Sequence, residues 1–190
     1  MTEAKKRKVA WGITGAGDRI AEYVQIMKQI QNEFEETVEI QVFVSRAGEV
    51  VLKFYGLENE VKQTFSKYSV EMNANSPFLA AWLQMRKYEF LLIAPASSNT
   101  VAKIAAGIGD TMLTNAASMA LKAFAPVYVV PVDYEEKTLI TKLPNGKDMK
   151  LRVRKEDAEN ARRLEHMEDM HVLSDPQKIF GIFREWFTKA

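Results

Sequence analysis

The stretch Leu91 to Asp110 reads LLIAPASSNTVAKIAAGIGD, and its reading decides the fold class. An apolar run ends in a proline and a cluster of small polar residues. A helix-like pattern follows until Gly107-Ile108-Gly109-Asp110 breaks it. In an α/β protein this order places hydroxyls, a carboxamide and free backbone N–H groups at the carboxyl end of a buried strand, where open parallel sheets bind ligands.

Outward from that stretch, the chain alternates strand-like and helix-like segments. Lys8 to Thr14 (KVAWGIT) reads as a first strand, and Gly15-Ala16-Gly17 as a tight turn. Asp18 is placed as an N-cap or first-turn acid, because Ile20, Tyr23, Val24, Met27 and Ile30 then recur at helical spacing. Val38 to Val44 is a second strand, ended by Ser45-Arg46-Ala47-Gly48. Helices are expected over Glu49–Tyr55 and Glu58–Tyr68, and a loop at Asn73 to Pro77. Pro77 would open a helix running to Arg86. Tyr88 to Ala94 is the most hydrophobic strand, helices follow over Asn99–Ala106 and Thr111–Ala123, and Pro126 to Val132 is another buried strand. The alternation predicts an α/β fold, a doubly wound and mostly parallel sheet with helices on both faces.

After Val132 the texture changes. Thr138–Lys142 and Met149–Val153 flank Leu143-Pro144-Asn145-Gly146-Lys147-Asp148, and Asn145-Gly146 signals a β-hairpin. Glu156 to Met170 reads as a charged helix and Pro176 to Lys189 as an amphipathic terminal helix. With no repeat or linker, residues 1–190 are expected to form one domain, with a core over 8–131 and an extension over 132–190.

Composition narrows the function classes. The formal net charge of +1 points to neither nucleic acid nor an anionic membrane. The basic run Lys5-Lys6-Arg7-Lys8 reads as a solvated lead-in. The absence of cysteine removes disulfides, thiol nucleophiles, cysteine-held zinc and iron–sulfur ligation by this chain. With no apolar span of about 18 residues and no signal peptide, no membrane partner is expected and the cytoplasm is the default location.

The first turn suits an anion. Glycines let the backbone approach it, and a helix N-terminus offers free N–H groups. Gly15-x-Gly17 is present, but Ile20 stands where a dinucleotide fingerprint has its third glycine. Sites for NAD need an acid at the end of strand two, and here stand Ser45 and Arg46. A hydroxyl and a guanidinium suit the phosphate of a mononucleotide or the 2′-phosphate of NADP. The expected phosphate contacts are Thr14, the N–H groups of Gly15, Ala16 and Gly17, Ser45 and Arg46.

Residues 95–113 look like the signature P-A-S/T-x-N-T-x-A-K-x-A-x-G-x-x-D-x-L of the FMN-binding flavoprotein superfamily. That group includes the phosphopantothenoylcysteine decarboxylases and the flavin prenyltransferases. The resemblance covers roughly residues 8 to 131 and implies FMN as cofactor in a Rossmann-like flavoprotein fold. It implies ribityl or ring contacts from Ala96, Ser97, Ser98, Asn99 and Thr100. Asp110 is either a ligand-facing acid or the N-cap of the next helix, with the cap favoured. Trp11 is favoured as core over a ring stacked on flavin.

The departures are informative. The decarboxylases carry a histidine before the signature strand, but Asn73 to Tyr88 has none, and the two histidines are His166 and His171. Their substrate clamp after the next strand is replaced by Pro131-Val132-Asp133-Tyr134-Glu135-Glu136. Both changes argue against decarboxylation, and no basic cluster marks a prenyl-phosphate site.

The tail Leu151 to Leu173 and the turn Trp11 to Asp18 look most like the archaeoflavoprotein branch. That resemblance implies an FMN-dependent electron-transfer oxidoreductase. Its electrons would come from a ferredoxin-like donor and pass to a downstream reductase or small-molecule acceptor, with no catalytic side chain and no metal. It also implies a homo-oligomer. A flavin reductase like the dihydromethanopterin reductases, with a substrate pocket formed partly by Asn73 to Trp82, is the alternative. A non-catalytic flavin-binding subunit is a further one.

Overall fold

The computed structural model describes residues 6–143 and 145–188. Lys5 of the basic run, Pro144 of the hairpin loop and Lys189 of the terminal helix lie outside the described residues. In chain order the elements are β1 (Arg7–Ile13), α1 (Ile20–Glu33), β2 (Val38–Val44), α2 (Arg46–Phe54), α3 (Glu58–Thr64), β3 (Lys67–Val70) and α4 (Leu79–Gln84). Then follow β4 (Leu91–Ala96), α5 (Ser98–Ala105), α6 (Met112–Lys122), β5 (Val127–Pro131), β6 (Thr138–Lys142) and β7 (Asp148–Arg152). The chain closes with α7 (Lys155–Leu164), β8 (Met170–Val172), a 3-10 turn at Pro176–Lys178 and α8 (Ile179–Phe187).

Six strands form one parallel sheet in the order β3-β2-β1-β4-β5-β8. The chain leaves β1 toward β2 and β3 on one side and later returns to β4 on the other. The carboxyl ends of β1 and β4 therefore flank a topological switch point, where loops diverge and leave a crevice.

Side chains alternate across this sheet because successive strand residues point to opposite faces. Val9, Trp11 and Ile13 of β1 join Ile40, Val42, Leu92 and Ala94 against α1 and α8. Ala10, Phe43, Leu91 and Ile93 face the other way, toward α4, α5, α6 and α7. Trp11 is fully buried, donates its indole N–H to the Ala94 carbonyl at 2.6 Å and meets Phe65 edge-on. The apolar stripe of α8 is internal: Phe183 is fully buried against Phe90 and Phe34.

Several expectations from sequence need correction. The segment expected to be helical through Tyr68 ends its helix at Thr64, and Lys67 to Val70 is the strand β3. The charged helix stops at Leu164, and Met170 to Val172 is β8. Helix α2 begins at Arg46 rather than Glu49, because Ser45 caps it by accepting from the Gly48 N–H at 3.0 Å. Pro77 lies two residues before α4, not in its first turn. Asp18 does not cap α1. Arg19 occupies that position at φ 53°, its guanidinium shared between Glu22 at 2.6 Å and Asp175 at 3.2 Å.

The hairpin forms as β6 and β7, paired antiparallel with each other and separate from the main sheet. Among the described residues no helix is long and apolar enough to cross a membrane.

Candidate functional site

A cleft of about 680 Å³ opens above the carboxyl ends of β1, β2 and β4. That lies within the range of roughly 300–1,000 Å³ common to small-molecule sites. Its floor depends on one side chain below it. Thr14, 1% exposed, donates its hydroxyl to the Pro95 carbonyl at 2.8 Å and accepts the Ser97 N–H at 2.8 Å. Thr14 thereby ties the end of β1 to the start of α5, and its oxygen is spent on that clamp.

The glycine turn forms one wall. Gly15 lines the cleft, and a Cβ there would stand 2.6 Å from the Ala47 Cβ, so only glycine lets the turn approach α2 this closely. Gly48 serves the same approach from the other side, since a Cβ on it would lie 2.6 Å from the Ile13 carbonyl oxygen. The backbone N–H groups of Gly15, Ala16 and Gly17 have no acceptor among the described residues. Ser45 accepts from Gly48 and keeps its own O–H for donation. Asp18 instead lines a second hollow of about 430 Å³ with Tyr23 and Val130 and does not line this cleft.

The opposite wall is the start of α5. Ser97 is its N-cap, accepting from the Thr100 N–H, and its hydroxyl lies 3.1 Å from that of Thr100. Asn99 is exposed at the cleft with its carboxamide unpaired among the described residues. Ser98 turns away and donates to Asp133. Ala96 is buried at the end of β4, opposite Pro131. Asp110 reaches the cleft but pairs with Lys103 at 2.8 Å. The N-cap of α6 is Thr111, which shares a capping box with Thr114, so the favoured capping role for Asp110 is corrected.

Of the residues singled out from sequence, Gly15, Ser45, Arg46, Ser97, Asn99, Thr100 and Asp110 converge on the cleft. Thr14, Ala16, Gly17, Ala96 and Ser98 stand below or behind it. The guanidinium of Arg46 donates to the main-chain carbonyls of Glu71 and Met72.

The cleft also contains Ala47, Glu71, Thr111 and Leu113, which sequence reasoning did not single out as contacts, and Asn73 and Ala74, which it placed only in the substrate pocket of the alternative reading. Glu71, Asn73 and Ala74 follow β3, whose Lys-Tyr-Ser-Val alternation is only four residues long and runs on directly from a helical pattern. Leu113 packs against Gly12, where a Cβ would meet its Cδ2 at 2.7 Å, a contact that only the fold reveals. Neither histidine reaches the cleft, and His171 is stacked on Tyr128 at 4.7 Å.

The donors suit a ligand with an anionic end and a polar edge: the unpaired N–H of Gly15, with those of Ala16 and Gly17 behind it, and a hydroxyl at one end, a carboxamide and hydroxyls at the other. Among the described residues that line the cleft, no hydroxyl donates to a carboxylate or an imidazole.

Residues 1–182 match the model of the family described as Flavoprotein. A relative from Methanocaldococcus jannaschii, an uncharacterized protein, is 44% identical over 90% of this chain and 91% of its own. A dihydromethanopterin reductase (acceptor) of the same organism is 32% identical over 93% of this chain and 95% of its own. The crystal structure of Burkholderia xenovorans DmrB in complex with FMN, a cubic protein cage for redox transfer, is similar at a TM-score of 0.80. Its identity is 29%, and the match covers 96% of each chain.

Proposed function

The chain belongs to the Flavoprotein family, and on that premise we propose that it holds FMN in the cleft and works as an FMN-dependent oxidoreductase. The single observation that carries this reading is the run of unpaired N–H groups on Gly15, Ala16 and Gly17, whose first member lines, beside the Ser45 hydroxyl, a cleft large enough for a flavin. The anionic end goes to those donors, which stand at the positive end of α1. Asn99, Ser97 and Thr100 hydrogen-bond the remainder and fix its orientation. Thr14 acts beneath them as a positioning residue.

Bound FMN supplies the redox chemistry, while the protein supplies position, electrostatics and exclusion of competing reactions. No side chain here has to attack, and the lack of a nucleophile–base pair in the lining agrees with that. Arg46 is engaged by two carbonyls, which argues against a 2′-phosphate there and so against NADP.

In the finer reading the electrons come from a ferredoxin-like protein and pass to a downstream reductase or small molecule, in the cytoplasm. The similarity to a dihydromethanopterin reductase favours a second reading, in which a reduced pterin is the small partner. Residues 1–190 act as one domain and assemble as a homo-oligomer, supported by the likeness to a caged assembly.

The test is the absorbance spectrum of the purified protein, before and after a reduced ferredoxin-like donor is added. Size-exclusion chromatography of the same sample reads the assembly. The expected result is a flavin spectrum that bleaches on reduction, and a melting temperature raised by added FMN but not by NADPH, since only a ligand of the native state stabilises it. A colourless protein that fails to retain FMN would falsify the reading.

A further inference from the structure

Glu71 is the carboxylate that the cleft holds most deliberately. It follows β3 directly and lines the cleft with Gly15, Ser45 and Ser97. One oxygen accepts the N–H of Arg46 at 3.2 Å and the other accepts the N–H of Met112 at 2.8 Å. These are the first residues of α2 and α6. One carboxylate thus satisfies an orphan donor on each of two helices and stands at the positive end of both dipoles. Arg46 closes the knot from above, donating to the Glu71 and Met72 carbonyls. Asn115 holds the next turn of chain through the Ala74 carbonyl and Asn75. The other charges around the cleft are Arg46 itself and the Lys103–Asp110 pair, which is self-neutralising.

We propose that Glu71 is a positioning residue of the flavin site: its carboxylate, shared between the N-termini of α2 and α6, fixes one negative charge inside the cleft and lowers the potential of the flavin bound there. This rests on the reading of the cleft as an FMN site. A flavin gains negative charge on reduction, so a fixed anion in the same cleft disfavours the reduced form, and protein charge is one of the ways a flavin is tuned. Both bonds run to main-chain donors, so the charge keeps its place whichever side chains surround it.

The variants are Glu71→Gln, which keeps the shape and removes the charge, and Glu71→Asp, which keeps the charge on a shorter arm. Asn73→Asp adds a charge to the same cleft on an exposed loop. Its side-chain oxygen already accepts from the Asn75 N–H at 2.9 Å, a turn that aspartate makes equally well. Each is loaded with FMN and titrated by spectroelectrochemistry.

Glu71→Gln should hold reduced FMN about tenfold more tightly relative to oxidised FMN than wild type does, an upward shift of about 30 mV for a two-electron couple. Glu71→Asp should stay at the wild-type potential, and Asn73→Asp should move it downward. An unmoved potential in flavin-loaded Glu71→Gln overturns the proposal. A shift in Glu71→Asp equal to that in Glu71→Gln also overturns it, because loosened packing would then explain both. Should Glu71→Gln not fold, an unmoved potential in Asn73→Asp overturns it alone. Wild-type protein that holds no FMN removes the functional reading first, and this one with it.

Discussion

Thr14 carries more of the site than any residue that faces it. Its hydroxyl satisfies the Ser97 N–H, which has no other acceptor among the described residues, and shares the Pro95 carbonyl with its own backbone N–H, which reaches that oxygen at 3.3 Å. Thr14→Val preserves the shape and removes both bonds. A buried group left unpaired costs about 1–3 kcal/mol, so the variant should lose roughly 2 kcal/mol. A lower urea midpoint with an unchanged slope would record that loss. FMN should also bind more weakly, because the cap at Ser97 is no longer held. A midpoint equal to wild type would show that the clamp contributes nothing. Sequence placed Thr14 beside the ligand by type and position. The pairing that turns it beneath the cleft depends on the contact between β1 and α5, which no local pattern encodes.

At the level of elements, legibility followed the strength of the local pattern. β1, β2, β4 and β5 are buried on both faces and read as apolar runs, and the helices between them show a helical repeat. The signature after β4 was legible because its caps and hydroxyls are local. β3 and β8 were not, since they have four and three residues, mixed polarity and charged helices immediately before them. With β3 missing from the reading, Glu71 had no place at the cleft.

Helix α7 shows how an element end can be anchored electrostatically. Asp157, 6% exposed, accepts two hydrogen bonds from Arg154, at 2.8 and 2.7 Å. Those bonds hold its carboxyl below the usual carboxylate range, against the opposing effect of burial. A carboxyl depressed in the folded state adds stability above its unfolded pKa of about 4 and loses it as pH falls through the folded value. Wild type should therefore melt higher than Asp157→Asn at pH 7, and the gap should close progressively below pH ~4. A gap independent of pH would refute the ion-pair account.

Across the whole molecule, the two faces of the sheet divide the work. Phe183 of α8 is fully buried on the face away from the cleft lining. Phe183→Ala should cost about 3–5 kcal/mol while the folded protein keeps its affinity for FMN, since distant sites contribute independently. Leu113, buried on the opposite face, lines the cleft and fills the space left by Gly12. Leu113→Ala should cost about 2–5 kcal/mol and weaken FMN as well. Chemical denaturation and fluorescence titration of both variants would separate the two. Equal effects on FMN affinity would contradict the division.

The order of the strands has one more consequence. The sheet ends in its two shortest members, β3 and β8, and β3 opens with Lys67, whose ammonium lies 3.9 Å above the Trp82 ring. Open strand edges template aggregation, and short, lysine-bearing ones resist it. The long apolar strands that would seed cross-β stacking are therefore kept to the middle of the sheet. The polar brevity that hid these two strands from a reading of the sequence also protects the protein against fibre formation at high concentration.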